Sequence, residues 1–326
     1  MDWVQLFSNA AIEVINPTTA AYALAALGLA VHFGYTGLLN FGQAGFMALG
    51  AYGYAISTLT FNFPVWAAVL VGVAASVVFA LILGVPTLRL RADYLAIVTI
   101  AAAEILRLSF TTNTFDDVTG SANGLSGYKG GFADLNPLPE GTYGFGPFAA
   151  NEYDTWLRIV AWTLVAISAF FVWRLIKSPW GRVVKGIRED EDAVRALGKN
   201  VFFYKMQSLI LGGVLGTFAG MIFILPRAVL PSNYQTTLTF FIYTILLLGG
   251  AATIFGPIIG SMIFWVLLSF VSGFISRAVT IGWIPFIDNV QAGQLRFIIV
   301  GAALMLIVIF RPQGIFGNKK ELAFVK

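Results

Sequence analysis

Long apolar stretches recur from one end of this chain to the other, and they restrict what it can fold into more than any other feature. A helix needs about 20 mostly apolar residues to cross a bilayer. Candidate spans lie at about 18–33, 36–61, 64–86, 92–111, 156–176, 206–226, 237–251, 254–276 and 294–311, nine in all, within a range of eight to ten. His32 to Gly37 alone separate the first two, and the seventh is short and ends in Gly249-Gly250. Charged residues make up only 11% of the chain and hydrophobic ones 58%, with a mean hydropathy of +0.82. A soluble domain carries roughly 25% charge. One soluble core cannot take up this much apolar surface, whereas lipid tolerates it. The expected fold class is therefore all-α: a polytopic transmembrane helical bundle with Gly-broken membrane segments, organised as one transmembrane domain over residues 1–326.

The charged residues orient such a bundle. No Lys or Arg precedes Arg89, after which Arg89 and Arg91 sit together. Lys177, Arg182, Lys185, Arg188, Arg195, Lys199 and Lys205 crowd into residues 177–205, and Arg311, Lys319, Lys320 and Lys326 mark the C-terminus. Residues 112–155 carry Lys129 against Asp116, Asp117, Asp134, Glu140, Glu152 and Asp154. Basic loops stay on the cytoplasmic side. The expectation is thus an external loop at about 112–155, a cytoplasmic loop at about 178–205 and a cytoplasmic tail at 311–326. Nine spans then place the N-terminus outside. The N-terminus lacks a basic n-region and carries Asp2 and Glu13, unlike a cleavable signal peptide.

Composition also removes several chemistries. With no Cys, disulfides, thiolate metal sites and Cys nucleophiles are excluded, and one His, His32, gives a zinc site or a Ser-His-Asp triad almost nothing to draw on. No metal or catalytic residue is assigned. The net charge of +4 follows the loops and does not form a nucleic-acid footprint.

Polar and glycine patterns inside the spans mark candidate functional positions. Gly34, Gly37, Gly42, Gly45, Gly50 and Gly53 interrupt the second span, with Asn40 and Gln43 among them. A second break runs from Gly249 through Gly256 to Gly260, and both breaks contain a Phe-Gly step followed by Gly. Broken helices persist at membrane depth where they are buried or line a watery path. Asn40, Gly42, Gln43, Gly45 and Gly256 are accordingly candidates for a translocation path, although small-residue helix packing produces the same glycines. Glu104 and Arg107, three apart on one helix face, offer both charges to a zwitterion or pair with each other. Gly212, Gly216 and Gly220 form a tandem small-residue face expected to pack helices closely. The loop at 178–205 begins Ser178-Pro179, and Trp180 to Leu197 read as one short helix stopped by Gly198.

Several blocks resemble the branched-chain amino acid ABC transporter permease family, which also includes urea and short-chain amide permeases. Gly37-Leu38-Leu39-Asn40-Phe41-Gly42-Gln43-Ala44-Gly45-Phe46 is similar to its early signature. Leu90 to Thr99, then Glu104 to Leu108, is similar to the next block, and Thr119 to Leu125 resembles its Thr-Gly-Gly-Ser-Asn-Gly-Leu motif, with Ser121-Ala122 in place of Gly-Ser. Ser178 to Gly198 and Arg311 to Gly317 resemble two further blocks. The external loop and the length favour the larger of the two permease types.

The resemblance implies a transport subunit, not an enzyme, in the bacterial inner (plasma) membrane. Its partners would be a second homologous permease, two cytoplasmic ATPases and an extracytoplasmic solute-binding protein. It implies ATPase coupling through Gly181, Arg182, Arg188, Glu189, Asp190, Glu191, Asp192, Ala193 and Gly198. The chain contains no G-x-x-x-x-G-K-[ST] loop, so ATP and Mg would be bound by the partner ATPases and no cofactor is expected here. The implied cargo is branched-chain or related hydrophobic amino acids, with urea or short-chain amides as the alternative. An ion-coupled secondary transporter, which needs no partner ATPase, and an integral membrane enzyme, which needs a denser polar constellation, are the competing readings.

Overall fold

In a computed structural model, residues 3–89, 92–281, 283, 289–311 and 313–317 are described. The Gly282–Gln291 turn lies mostly outside these residues, and Leu90, Arg91, Pro312, Lys319, Lys320 and Lys326 lie outside them. The described chain is almost entirely helical, with one two-stranded hairpin, β1 (Thr142–Tyr143) paired antiparallel with β2 (Ala150–Asn151).

The centre is α11 (Val201–Ile224), whose most apolar window is 72% buried within the chain. It packs against α2 (Pro17–Leu29), α3 (Gln43–Leu59) and α4 (Val65–Thr87). The tandem glycines make these contacts possible. A Cβ at Gly212 would overlap the Gly28 carbonyl, one at Gly216 the Gln43 side chain, and one at Gly220 the Met47 carbonyl. Small residues let backbones approach where a larger side chain would hold them apart. Every residue of α2 is buried, and its start is set by Pro17 at the first turn and by Asn16, whose side chain accepts from Thr18 N.

The outer helices are α5 (Ala92–Thr111), α8 (Glu152–Lys177), α13 (Phe255–Thr280) and α14 (Asn289–Phe310). Among the described residues, five helices are long and apolar enough to cross a membrane: α4, α5, α8, α11 and α13. α1 (Trp3–Ile12) and the α2 segment pass together as a sixth, bent by 43°. α3, with 17 residues, and α12 (Thr236–Gly249), with 14, are short for a full crossing.

The expected first two spans are redrawn. α2 continues as a π-helical turn over Ala30–Tyr35, and the break falls at residues 37–42, inside the expected 36–61 span. Gly37 takes φ +75 there, a conformation that favours glycine.

The two segments between the long apolar helices, the acidic 112–155 and the basic 178–205, collect at opposite ends of α11. The acidic segment folds over its C-terminal end through α6 (Asp116–Thr119), α7 (Gly130–Ala133) and the β1–β2 hairpin. Leu125 and Val229 exchange backbone hydrogen bonds of 3.0 Å, and Tyr128 and Tyr153 hydroxyls donate to the Ile224 and Leu225 carbonyls at 3.0 Å. At the opposite end lie α9 (Pro179–Glu189) and α10 (Glu191–Ala196). The single helix expected over Trp180 to Leu197 is therefore two. Asp190 is extended (φ −154, ψ 105), and its Oδ1 accepts from Asp192 N and Ala193 N at 2.9 and 3.0 Å. An N-cap of this kind starts a new helix where the previous one would have continued.

Candidate functional site: a coupling unit joined to a broken segment

The amphipathic stripe of α9 gives it a fixed seat. Gly181, Val184 and Ile187 are buried at helical spacing, and Ile187 clusters with Val194 of α10 and Val201 of α11. Gly181 sits so close to the end of α8 that a Cβ would strike the Ile176 backbone, which is how the chain turns from α8 into α9. Trp180 Nε1 donates to Gln207 Oε1 at 2.9 Å, tying α9 to α11. The opposite face is open: Arg182, Glu189, Asp190, Asp192 and Ala193 are exposed, and so is Leu197 at 78%. Gly198, at φ +74, ends α10. An exposed leucine within an acidic rim is a surface suited to a protein partner.

Arg188 points the other way. Its Nη1 donates to the Gly34 carbonyl at 2.8 Å, its side chain is 7% exposed, and Glu189 pairs with the outer edge of the guanidinium. Gly34 lies near the end of the π-helical turn, where the chain leaves the helix and carbonyls turn to other donors. A cation at this helix end both satisfies a carbonyl and meets the negative end of the helix dipole. Gly37 packs against Arg188 itself, and a Cβ at Gly34 would overlap the Ala251 carbonyl in the second glycine-rich break. The two breaks therefore touch, and α9 presses on the first of them. α12 ends in the second, where Ile315 N and Phe316 N donate to the Leu248 and Gly249 carbonyls at 2.9 and 3.1 Å. The described part of the C-terminal block thus closes off α12.

The break itself is held by side chains from four helices. His32 Nε2 faces the Leu209 carbonyl at 3.0 Å, which can only accept, so Nδ1 is the acceptor for Asn40 Nδ2, also at 3.0 Å. Asn40 Oδ1 accepts from Gly42 N, and its carbonyl accepts from the Tyr243 hydroxyl. Gln43 Nε2 donates to the Ala25 and Gly212 carbonyls, Phe41 N donates to Thr99 Oγ1, and Ala44 N donates to Thr239 Oγ1. His32, Asn40 and Gln43 have no exposed surface. Gly42 and Gly45 lie against Thr99 and Ala103 of α5, and Gly256 donates its N–H to Thr253 Oγ1 at the first turn of α13. Both Phe-Gly steps therefore lie where a helix restarts after a break.

Glu104 and Arg107 stand apart from this cluster. They form a bidentate pair within α5, with Arg107 Nε 3.0 Å from both carboxylate oxygens. Sequence reasoning missed Thr99, Thr239, Tyr243 and Ser208 as supports of the break, and Lys205 as the partner of Glu191 across the α10–α11 turn. Thr99 stands alone in an apolar run, whereas Lys205, Ser208, Thr239 and Tyr243 have polar neighbours, and nothing in the sequence marks which of them faces a distant partner.

The profile of the family described as "Branched-chain amino acid transport system / permease component" matches residues 13–309. The chain belongs to this family. The permease is 30% identical to the high-affinity branched-chain amino acid transport system permease protein LivM of Salmonella typhimurium, over 96% of this chain and 71% of that protein. It is 27% identical to the probable branched-chain amino acid transport permease protein LivM of Methanocaldococcus jannaschii, with 91% of both chains covered. The nucleoside ABC transporter permease protein NupC of Lactococcus lactis subsp. cremoris is 24% identical over 89% of both. A solved structure, PsaBC from Streptococcus pneumoniae in complex with Fab, is similar at a TM-score of 0.42 and 16% identity, covering 93% of this chain and 90% of that one. A likeness at that level fixes nothing about the fold.

Proposed function

We propose that this permease is one of two membrane subunits of an ATP-driven importer for branched-chain amino acids, embedded in the bacterial inner membrane and driven by two ATPases on the basic side. The single observation that carries the coupling is the Arg188 to Gly34 hydrogen bond, because it joins an exposed, partner-ready helix pair to a glycine-broken membrane segment. In this reading the α9–α10 end, the C-terminal segment and residues 311–326 are cytoplasmic, and the 112–155 segment receives cargo from an extracytoplasmic binding protein. The ATPases seat on Glu189, Asp190, Asp192, Ala193 and Leu197, and their closure moves α9 as a rigid body. Asn40, Gly42, Gln43, Gly45 and Gly256 shape the wall of the path, and Glu104 with Arg107 stand where α5 meets the second permease and the cargo.

The cargo follows the family description and the LivM relatives. Nucleosides are the second reading, favoured by the similarity to NupC. The experiment is reconstitution of the complete complex in liposomes with its binding protein. ATP-dependent uptake of leucine, isoleucine or valine is expected, and replacing Glu189 to Asp192 with Ala abolishes both ATPase association and uptake. Normal coupled uptake by that variant removes the assigned docking role, whereas uptake of uridine or urea in preference to leucine overturns the cargo.

A further inference from the structure

A cavity of about 130 Å³ opens where α9, α10 and the broken segment meet. Its apolar wall is Leu38, Leu88, Leu95 and Ile187, and its polar wall is Arg188, Glu191 and Lys205. Thr36 and Thr87 complete the rim. Lys205 is 9% exposed and pairs with Glu191, while Arg188 is held by Gly34 and Glu189. The Thr87 hydroxyl donates to the Leu83 carbonyl and keeps its lone pairs as acceptors, whereas the Thr36 hydroxyl, which donates to the Val31 carbonyl, also shares a 2.7 Å hydrogen bond with Ser208 Oγ.

These groups match one ligand chemistry. A carboxylate can accept from the Lys205 ammonium, and an ammonium on the same small molecule can donate to Glu191 and the Thr87 hydroxyl. Glu191, half-buried and also paired with Arg195, keeps that cation, and the zwitterion inserts between Glu191 and the buried Lys205 without adding net charge, so Lys205 does not lose a counter-ion. The aliphatic wall then takes the side chain. The cavity is smaller than the about 150 Å³ that accommodates benzene, so its enclosed part takes no more than a short aliphatic side chain, with the charged end of the ligand at the open mouth, and it is too small for a nucleoside.

We infer that this cavity binds a free aliphatic α-amino acid, and that the bound molecule locks the joined α9–break unit against the end of α4 and slows the transport cycle. The inference rests on the cargo and sidedness proposed above. The ligand is then the imported product, arriving from the ATPase side. The cavity walls come from α9 and α10 (Ile187, Arg188, Glu191), the chain at the break (Thr36, Leu38) and the end of α4 (Thr87, Leu88), so occupancy ties the joined α9–break unit to the part of the bundle it must move against.

The test uses the complete complex in liposomes with its binding protein, with leucine added to the ATPase-facing side. Uptake and ATPase activity are each read relative to the same protein's uninhibited rate. Leucine on that side lowers both, and Lys205→Gln shifts the half-inhibitory concentration upward by about tenfold, the loss of one charge-assisted hydrogen bond. Leu95→Phe, which fills the cavity, shifts it in the same direction. On the unaltered complex, 4-methylpentanoate lacks the ammonium of leucine and isoamylamine lacks its carboxylate, and both inhibit more weakly than leucine. Normal leucine import with no inhibition from the ATPase side overturns the inference and leaves the proposed function standing. Inhibition by 4-methylpentanoate equal to that by leucine also overturns it, since a simple anion site would then suffice. A complex that imports nucleosides and not leucine overturns the cargo reading, and the inference with it.

Discussion

Replacing Arg188 with Ala separates force transmission from docking. The side chain is 7% exposed and donates one charged hydrogen bond of 2.8 Å to the Gly34 carbonyl, while its pairing with Glu189 is to a carboxylate that is 48% exposed. The exposed pairing contributes little. The buried hydrogen bond to a charged donor contributes about 1.5–3 kcal/mol, which corresponds to roughly a 10- to 150-fold change in the equilibrium between joined and separated states of α9 and the broken segment. Of the proposed docking residues Arg188 touches Glu189, through an exposed pair that contributes little, so the variant should still bind the ATPases of the proposed complex. Moles of cargo imported per mole of ATP hydrolysed should fall by about tenfold or more, with stimulation of ATPase activity by the loaded binding protein falling alongside. Arg188→Lys keeps the charge but loses the fork that serves Gly34 and Glu189 together, and it should restore coupling only in part. Unchanged cargo per ATP in Arg188→Ala would refute the link, and loss of ATPase binding would show that Arg188 docks the partner and does not transmit its motion.

Asp190→Ala removes the N-cap of α10 and should lower stability by about 1 kcal/mol, read as weakened ATPase association with unaltered bundle stability by thermal unfolding in detergent. Gly220→Val should prevent close approach of α11 to the Met47 carbonyl and cost about 1–3 kcal/mol or more, whereas Gly301→Ala, with open space around it, should be neutral or mildly stabilising in the same unfolding assay. Tyr128→Phe should loosen the acidic segment from the end of α11 by about 1 kcal/mol, detected as faster amide exchange around Leu125 and Val229. Arg107→Gln alone leaves Glu104 without its cation in α5, so Glu104→Gln combined with Arg107→Gln should retain more uptake than Arg107→Gln alone if the pair is structural. Equal loss in both would assign the two charges to the cargo.

Much of the bundle was legible because its causes are local. The apolar runs of α4, α5, α8, α11 and α13 exceed what a crossing needs, and their boundaries fall within a few residues of the expected ones. Gly198 stops a helix, and the Gly212, Gly216 and Gly220 face packs as its spacing suggests, since small residues at helical period leave backbone as the only contact surface. The break at residues 37–42 was visible as glycines and polar residues, but its place was not. Ala30 to Tyr35 have no sequence mark of a π-helical turn, and this turn carries the helix past the expected end.

The division at Asp190 shows the same limit. An aspartate in a run of charged residues is compatible with a continuous exposed helix or with a cap, and the seats of Ile187 and Val194 on α11 choose the cap. The amino-acid sequence by itself determined the lipid solvent, the helical class, the basic and acidic ends and the blocks that mark the family, because composition and short-range periodicity settle those. Only the tertiary structure decided that Arg188 reaches Gly34, that Lys205 meets Glu191, and that His32, Asn40 and Gln43 are enclosed within the chain. Those contacts join residues far apart along the chain, and a polar side chain in an apolar run carries no local signal of which distant carbonyl it will satisfy.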